Sequence, residues 1–201
     1  MTQAGDRIAG LLGASLSLWW CIYQVNIEPS RWNLQAVLFY LFQIQVALLF
    51  IFRLKPVFAR ADMTVWLICG ASLVGVYLID FSVKYTGNFS IVGECLTYAG
   101  CIFSILAISA LGKGFGVLPA FRRLASKGPY RIIRHPIYFG YALMDFGILL
   151  SYPKIENFVV IICNAGILIA RIDMEESVCA STAQYREYMA EVRYRLLPGI
   201  Y

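Results

Sequence analysis

Four stretches of this chain, near residues 8–26, 34–52, 63–83 and 89–111, are almost unbroken apolar runs about twenty residues long. A helix rises about 1.5 Å per residue and a bilayer's hydrocarbon core is about 30 Å thick, so each run is long enough to cross it. No water in that core can satisfy backbone N–H and C=O groups, and runs of this kind therefore fold as helices. Two shorter apolar runs follow, near 137–152 and 157–173, separated by "PKIEN". They read as a tight helical hairpin. A mean hydropathy of +0.68, with 60% hydrophobic and only 14% charged residues, excludes an ordinary soluble domain.

The first run follows Asp6 and Arg7 directly and reads as a retained span, because no small-residue cleavage site is evident. From residue 174 the chain becomes charged, with Tyr185, Tyr188 and Val192 at helical spacing, which predicts an amphipathic surface helix. The six Cys lie singly in apolar sequence without CxxC spacing, and point neither to a disulfide framework nor to a metal site. Basic loops are retained on the cytoplasmic side. If the N terminus is inside, fourteen of the seventeen Lys and Arg fall on inner segments, and only Arg31, Lys84 and Lys154 fall outside. Both ends and the loop 112–136 then face the cytoplasm. The expected fold is one all-α, multi-pass membrane domain over 1–201, with five to six spans.

The stretch "KGPYRIIRHPIYFGY" holds the single histidine. Its charge alone fits attraction to anionic head groups. Three further features point to a site. Gly128 and Pro129 signal a turn before Tyr130. Pro136 suits a helix's first turn and leaves His135 at the boundary, where free N–H groups and the helix dipole favour an anion. Tyr138, Tyr141 and Asp145 then lie on one helix face. In "RIDMEESV", Arg171 and Glu175 share a face, with Glu176 beside them. Ionisable residues at such a helix end imply a bundle interior or a watery cavity. A hairpin brings His135 and Arg171 together, so both motifs are expected to face one pocket.

"GPYRIIRHPIY", then "RIDMEE", then "QYREYMAEVRYRLLP" resembles, as an ordered set over 112–198, the isoprenylcysteine carboxyl methyltransferase family and its relatives the phospholipid methyltransferases. The resemblance makes 112–201 the methyltransferase-like half and 1–111 an array of N-terminal spans. It implies S-adenosylmethionine as cofactor, in a cytoplasmic-face pocket that the C-terminal helix closes. By position it implies Tyr130, His135, Pro136, Ile137, Tyr138 and Glu175 as cofactor contacts, with Arg122, Arg123, Leu124 and Ala125 from the preceding loop. Arg171 corresponds to the residue that orients the nucleophile and, with Glu175, is the catalytic candidate. Arg171, Tyr141, Asp145 and Glu176 are the acceptor-side candidates; Asp145 either touches substrate or bonds Asn164 across the hairpin. The residue types agree: the cofactor's carboxylate suits the His135 helix start, its ammonium suits Glu175, and its sulfonium suits tyrosine faces.

The implied acceptor is a lipophilic molecule, with a carboxylate such as that of an isoprenylcysteine or with a phospholipid amine. In the amine case Glu175, Glu176 or Asp145 takes the proton. Two departures from the family, a short "SVCASTAQY" without a Phe-Gly turn and a basic tail at Arg193 and Arg195, lie near the expected acceptor entrance. The run "GKGFG" has neither a preceding strand nor a following Lys-Ser/Thr, so it reads as a mobile loop beside the cofactor and not as a phosphate loop. Neither nucleic acid nor a metal is an expected partner. A membrane NADPH-dependent reductase and a non-catalytic transporter or assembly factor remain alternatives.

Overall fold

The computed structural model describes residues 34–82 and 84–201, with 11, 12, 14–16, 18, 19 and 22 of the segment before them. Most of the expected 8–26 span, and Arg7 and Arg31, lie outside the described residues. The described fold is helical: α1 (Leu34–Phe52), α2 (Met63–Val74), α3 (Asn88–Leu111), α4 (Pro136–Ser151), α5 (Ile155–Cys179) and α6 (Ala183–Glu191). Two short strands, β1 (Phe58–Ala59) and β2 (Ala120–Phe121), pair antiparallel.

Among the described residues two helices are long and apolar enough to cross a bilayer, Asn88–Gly114 and Ile155–Cys179, and the protein is a membrane protein. Their outer faces expose large apolar side chains, among them Phe89, Ile91 and Leu106 on α3 and Phe158, Ile162 and Ile169 on α5. Such surface is stable against lipid and costly against water. The apolar run expected to span 63–83 divides instead. It is helical as α2, tightens to a 3₁₀ turn over Gly75–Leu78, and then leaves the helix. The cause is Asn157, whose Oδ1 accepts from the Asp80 N–H at 2.8 Å and whose Nδ2 donates to the Asp80 carbonyl at 3.0 Å. A buried amide that satisfies both backbone groups of Asp80 removes the incentive to continue the helix.

The last two apolar helices do not form the tight hairpin expected. α4 packs closely and antiparallel against α3, while α5 leans away. The reason is a glycine register: Gly93 and Gly100 on α3 face Gly147 and Gly140 on α4. A β-carbon on Gly100 would sit 2.6 Å from the Gly140 carbonyl, and one on Gly147 would sit 2.5 Å from the Gly93 carbonyl. Small residues let membrane helices approach backbone to backbone, and Thr97 and Ser104 fill the same seam. With α4 fixed on α3, the space between α4 and α5 stays open.

The connections sort into two ends. At one, Leu54 N–H donates to Lys113 O at 2.8 Å, Arg60 N–H donates to Pro119 O at 3.1 Å, and β1 pairs with β2. The segments around 53–62 and 112–136 and the chain after α5 therefore meet. At the other end, Lys154 binds Asp80 at 2.5 Å and Lys84 pairs with Glu94. α6 is amphipathic, with Arg186, Glu187 and Glu191 exposed on its outer face. Tyr185, Tyr188 and Val192 are buried together against Phe121 and Leu124. Burial pushes the phenols of Tyr185 and Tyr188 well above their usual range, so they remain donors.

The seam makes a stability prediction. Gly147→Ala drives a methyl into backbone and should cost about 1–3 kcal/mol, whereas Gly166→Ala on α5, where a β-carbon meets nothing within 4 Å, should be neutral or slightly stabilising. Thermal unfolding of both variants in detergent checks this; equal melting temperatures would remove the seam from the account.

Candidate functional site

Gly128, at φ +59°, and Pro129 turn the chain into a 3₁₀ segment, Gly128–Arg131, and Pro136 then opens α4 with His135 as its N-cap. Between these lie Arg134 and His135, both buried. The extended stretch after α6 runs beside them as a strap. Arg134 N–H donates to Tyr194 O at 2.9 Å, and His135 N–H donates to Arg195 O at 2.9 Å. Neither N–H is left for an outside anion.

The anion that does approach this helix start is the protein's own Glu176. Arg134 Nε donates to Glu176 Oε1 at 2.6 Å, His135 Nε2 lies 3.1 Å from the same oxygen, and Arg195 Nη2 lies 2.8 Å from Oε2. An ionised carboxylate only accepts, so the His135 proton resides on Nε2 and Nδ1 is left towards Glu175, 4.0 Å away. Arg134 Nη1 also donates to the carbonyls of Val192 and Arg193, each at 2.7 Å, and Arg195 Nη1 reaches Asp173 at 2.9 Å. Glu176 is thus buried and does not line the cavity, contrary to its expected place on the acceptor side. The cause is that Arg134, Arg195 and the His135 ring converge on it. Pro136 is also fully buried and is absent from the cavity lining; it sets the helix start.

One turn further on, Tyr138 stacks on His135, with ring centroids 5.7 Å apart and planes 8° from parallel. Its hydroxyl donates to Glu175. Arg171 lies over the other side of this cluster, its guanidinium carbon 5.4 Å from the Tyr138 ring centre. Arg171 Nη1 donates to Ser72 Oγ at 2.8 Å, and Nη2 donates to Val117 O at 2.9 Å and to Glu175 at 3.3 Å. Its Nε–H is buried and has no partner among the described residues. The two polar motifs, about forty residues apart, do meet at one void.

That void has a volume of about 1020 Å³ and is walled by α1, α4, α5, the loop 111–125 and the α6 tyrosines. Tyr130, His135, Ile137, Tyr138, Arg171 and Glu175 line its polar end. Arg122, Arg123, Leu124 and Ala125 complete that end. Deeper in, Tyr141, Met144, Asp145 and Leu168 carry it between α4 and α5. Burial pushes the Tyr130 phenol well above its usual range, so it stays neutral. The "GKGFG" segment is held in place: Gly116 lies so close to the Arg122 guanidinium that a β-carbon there would be 2.4 Å from Nη1, and Arg122 Nε donates to Leu54 O at 3.1 Å. Among the described residues no hydrogen bond joins Asp145 to Asn164, whose Oδ1 instead presses against Gly75.

Ser72, Val117, Arg134 and Arg195 were not expected in the site. The first two carry no sequence signal, since one is a lone serine in an apolar run and the other acts through its backbone. Arg195 was visible as an unusual tail charge, and its neighbour Arg134 as part of the basic cluster.

A charged and aromatic recess inside a bundle of lipid-facing helices is the kind of site a membrane enzyme uses. Residues 89–184 match the phospholipid methyltransferase family, a family of S-adenosylmethionine-dependent membrane methyltransferases. The match begins at α3, earlier than the motifs that carry the resemblance, and takes in the glycine seam. No curated protein matches the chain. The family match gives no support to the reductase or transporter alternatives.

Removing Glu176 leaves Arg134 buried without its carboxylate. Glu176→Ala should therefore destabilise the protein by about 3–5 kcal/mol, as for a broken buried pair. Arg195→Ala, whose side chain is 28% exposed, should cost less and chiefly speed proteolysis after α6. Melting curves and timed trypsin digestion distinguish the two effects.

Proposed function

We propose that the protein methylates a lipophilic acceptor at the cytoplasmic face of its membrane, within a bundle of five to six spans. The sidedness rests on charge. Arg53, Lys55, Arg60, Lys113, Arg122 and the basic residues of 123–134 and the tail gather at the end that holds the site, while Lys84 and Lys154 are at the other. Basic residues stay on the cytoplasmic side, where the charged cofactor also is.

The observation that carries the reading is the single cavity joining Glu175, Tyr138 and Arg171 to an apolar interior. Sites for drug-sized ligands commonly occupy about 300–1,000 Å³, so this volume suits a nucleotide-sized donor together with part of an acceptor. The residues present fit S-adenosylmethionine. Glu175 offers a carboxylate to an ammonium, and Tyr130, Tyr138 and the His135 ring offer aromatic faces and oxygens to a sulfonium. Ile137 and the loop from Arg122 to Ala125 wall the rest. When bound, the cofactor supplies an electrophilic methyl group on a sulfonium.

The chain's own residues position and desolvate. Arg171, fixed by Ser72 and Val117, keeps an unused Nε–H. An orphaned buried donor costs about 1–3 kcal/mol, and an acceptor's oxygen relieves it. In this reading Arg171 aligns that oxygen, a carboxylate in the isoprenylcysteine case, and methyl transfer needs little acid–base help. The family's name favours a second reading, a phospholipid amine, for which Glu175 is the base nearest the polar end of the cavity.

Calorimetric titration of the purified protein with S-adenosylmethionine should show saturable binding. Glu175→Ala should weaken it about tenfold or more, equivalent to about 1.4 kcal/mol. Arg171→Ala should leave that affinity within about threefold yet depress labelled methyl transfer into total membrane lipid. A wild-type protein that fails to bind the cofactor would remove this reading.

A further inference from the structure

Beyond its polar end the cavity continues along α4, where Tyr138, Tyr141, Asp145 and Ile148 line one wall, with Leu168 opposite on α5. The charged side chains there nearly all have partners. Arg134 is held by Glu176, Arg171 by Glu175, Lys84 by Glu94, and Arg122 by the Leu54 carbonyl. Asp145 has no hydrogen-bond or ion-pair partner among the described residues. It also borders a second void of about 140 Å³ with Ala142, Phe146, Leu149, Ile161 and Leu168. Phe146 is 56% exposed, so that crevice faces the lipid side of the bundle. Asp145 therefore stands where the interior cavity meets a lateral opening between α4 and α5.

A carboxyl group in an apolar span is costly unless something satisfies it. Ionised it only accepts hydrogen bonds, and protonated it keeps an acceptor oxygen beside its O–H, so in both states it has room for a donor. We propose that Asp145 recognises a hydrogen-bond-donating group, a hydroxyl, amide N–H or ammonium, borne by the acceptor next to its apolar chain. Seven residues of helix separate Asp145 from Tyr138, which places this group about 10 Å deeper than the reacting end. The acceptor is then an amphiphile with two polar points, entering between α4 and α5. This assignment rests on the methyltransferase reading for the word acceptor, but the donor site itself does not.

The test uses two probes of matched shape in nanodiscs, dodecan-1-ol, which donates a hydrogen bond, and dodecyl methyl ether, which does not. Equilibrium binding is measured for the wild type, Asp145→Asn and Asp145→Leu, together with S-adenosylmethionine affinity. The wild type should hold the alcohol about fivefold tighter than the ether, as one hydrogen bond supplies. Asp145→Asn should keep part of that preference and Asp145→Leu should abolish it, with cofactor affinity unchanged in both. Equal affinities in the wild type, a preference that survives in Asp145→Leu, or a parallel loss of cofactor binding would each overturn the proposal. A wild type that prefers the alcohol yet ignores the cofactor would sink the methyltransferase reading and leave the donor site standing.

Discussion

Two arginines and a histidine ring converge on one buried carboxylate, and the rest of the site depends on that convergence. Glu176 comes from the end of α5, Arg134 and His135 from the approach to α4, and Arg195 from the chain beyond α6. An ion cluster inside a protein is weak evidence for net stability, because desolvation of its members opposes their attraction. What it does supply is register. With both Glu176 oxygens occupied, the imidazole of His135 has one orientation, the Tyr138 ring has a surface to stack on, and Glu175, one residue away on the helix, points into the cavity instead of towards the same groups. Two adjacent glutamates thus face opposite ways, one into the ion cluster and one into the cavity.

Much of this was legible in the sequence. The existence and limits of α1, α3 and α4 follow from the length of their apolar runs, since a backbone in lipid has few alternatives. The meeting of "RHPIY" with "RIDMEE" followed from two short helices with their polar termini at one end. The division of labour between Glu175 and Glu176 was not legible. Adjacent side chains on a helix point about 100° apart, and which of them faces inward depends on where Arg134 and Arg195 arrive. The break after α2 was hidden for a similar reason: its cause, Asn157, belongs to another helix 77 residues further on.

The glycine register is present in the letters but does not stand out among the other glycines. Gly93 and Gly100 stand seven apart, as do Gly140 and Gly147, and the second pair lies within a motif whose histidine and tyrosines draw attention first. Its effect is large because it decides which neighbour α4 keeps. A helix of 16 residues is about 24 Å long, too short to cross a bilayer unaided. Fastened to the longer α3 through carbonyls and small side chains, it need not pair with α5 at all.

That preference makes the enzyme possible. Had α4 and α5 closed into the hairpin their short connection suggests, Tyr138, Tyr141 and Asp145 would have packed against Leu168 and Arg171, and no void would separate them. The connection instead only ties the two helices at the far end, where Asn157 also bonds the Tyr152 carbonyl at 3.0 Å. From that fixed point α5 diverges towards the end that bears Glu176, where the ion cluster and the strap bring the chain back together. The elements around the cavity are tied together at one extremity by the Asn157 amide and at the other by the Glu176 carboxylate. Between them, the cavity is held open by what α4 prefers to touch.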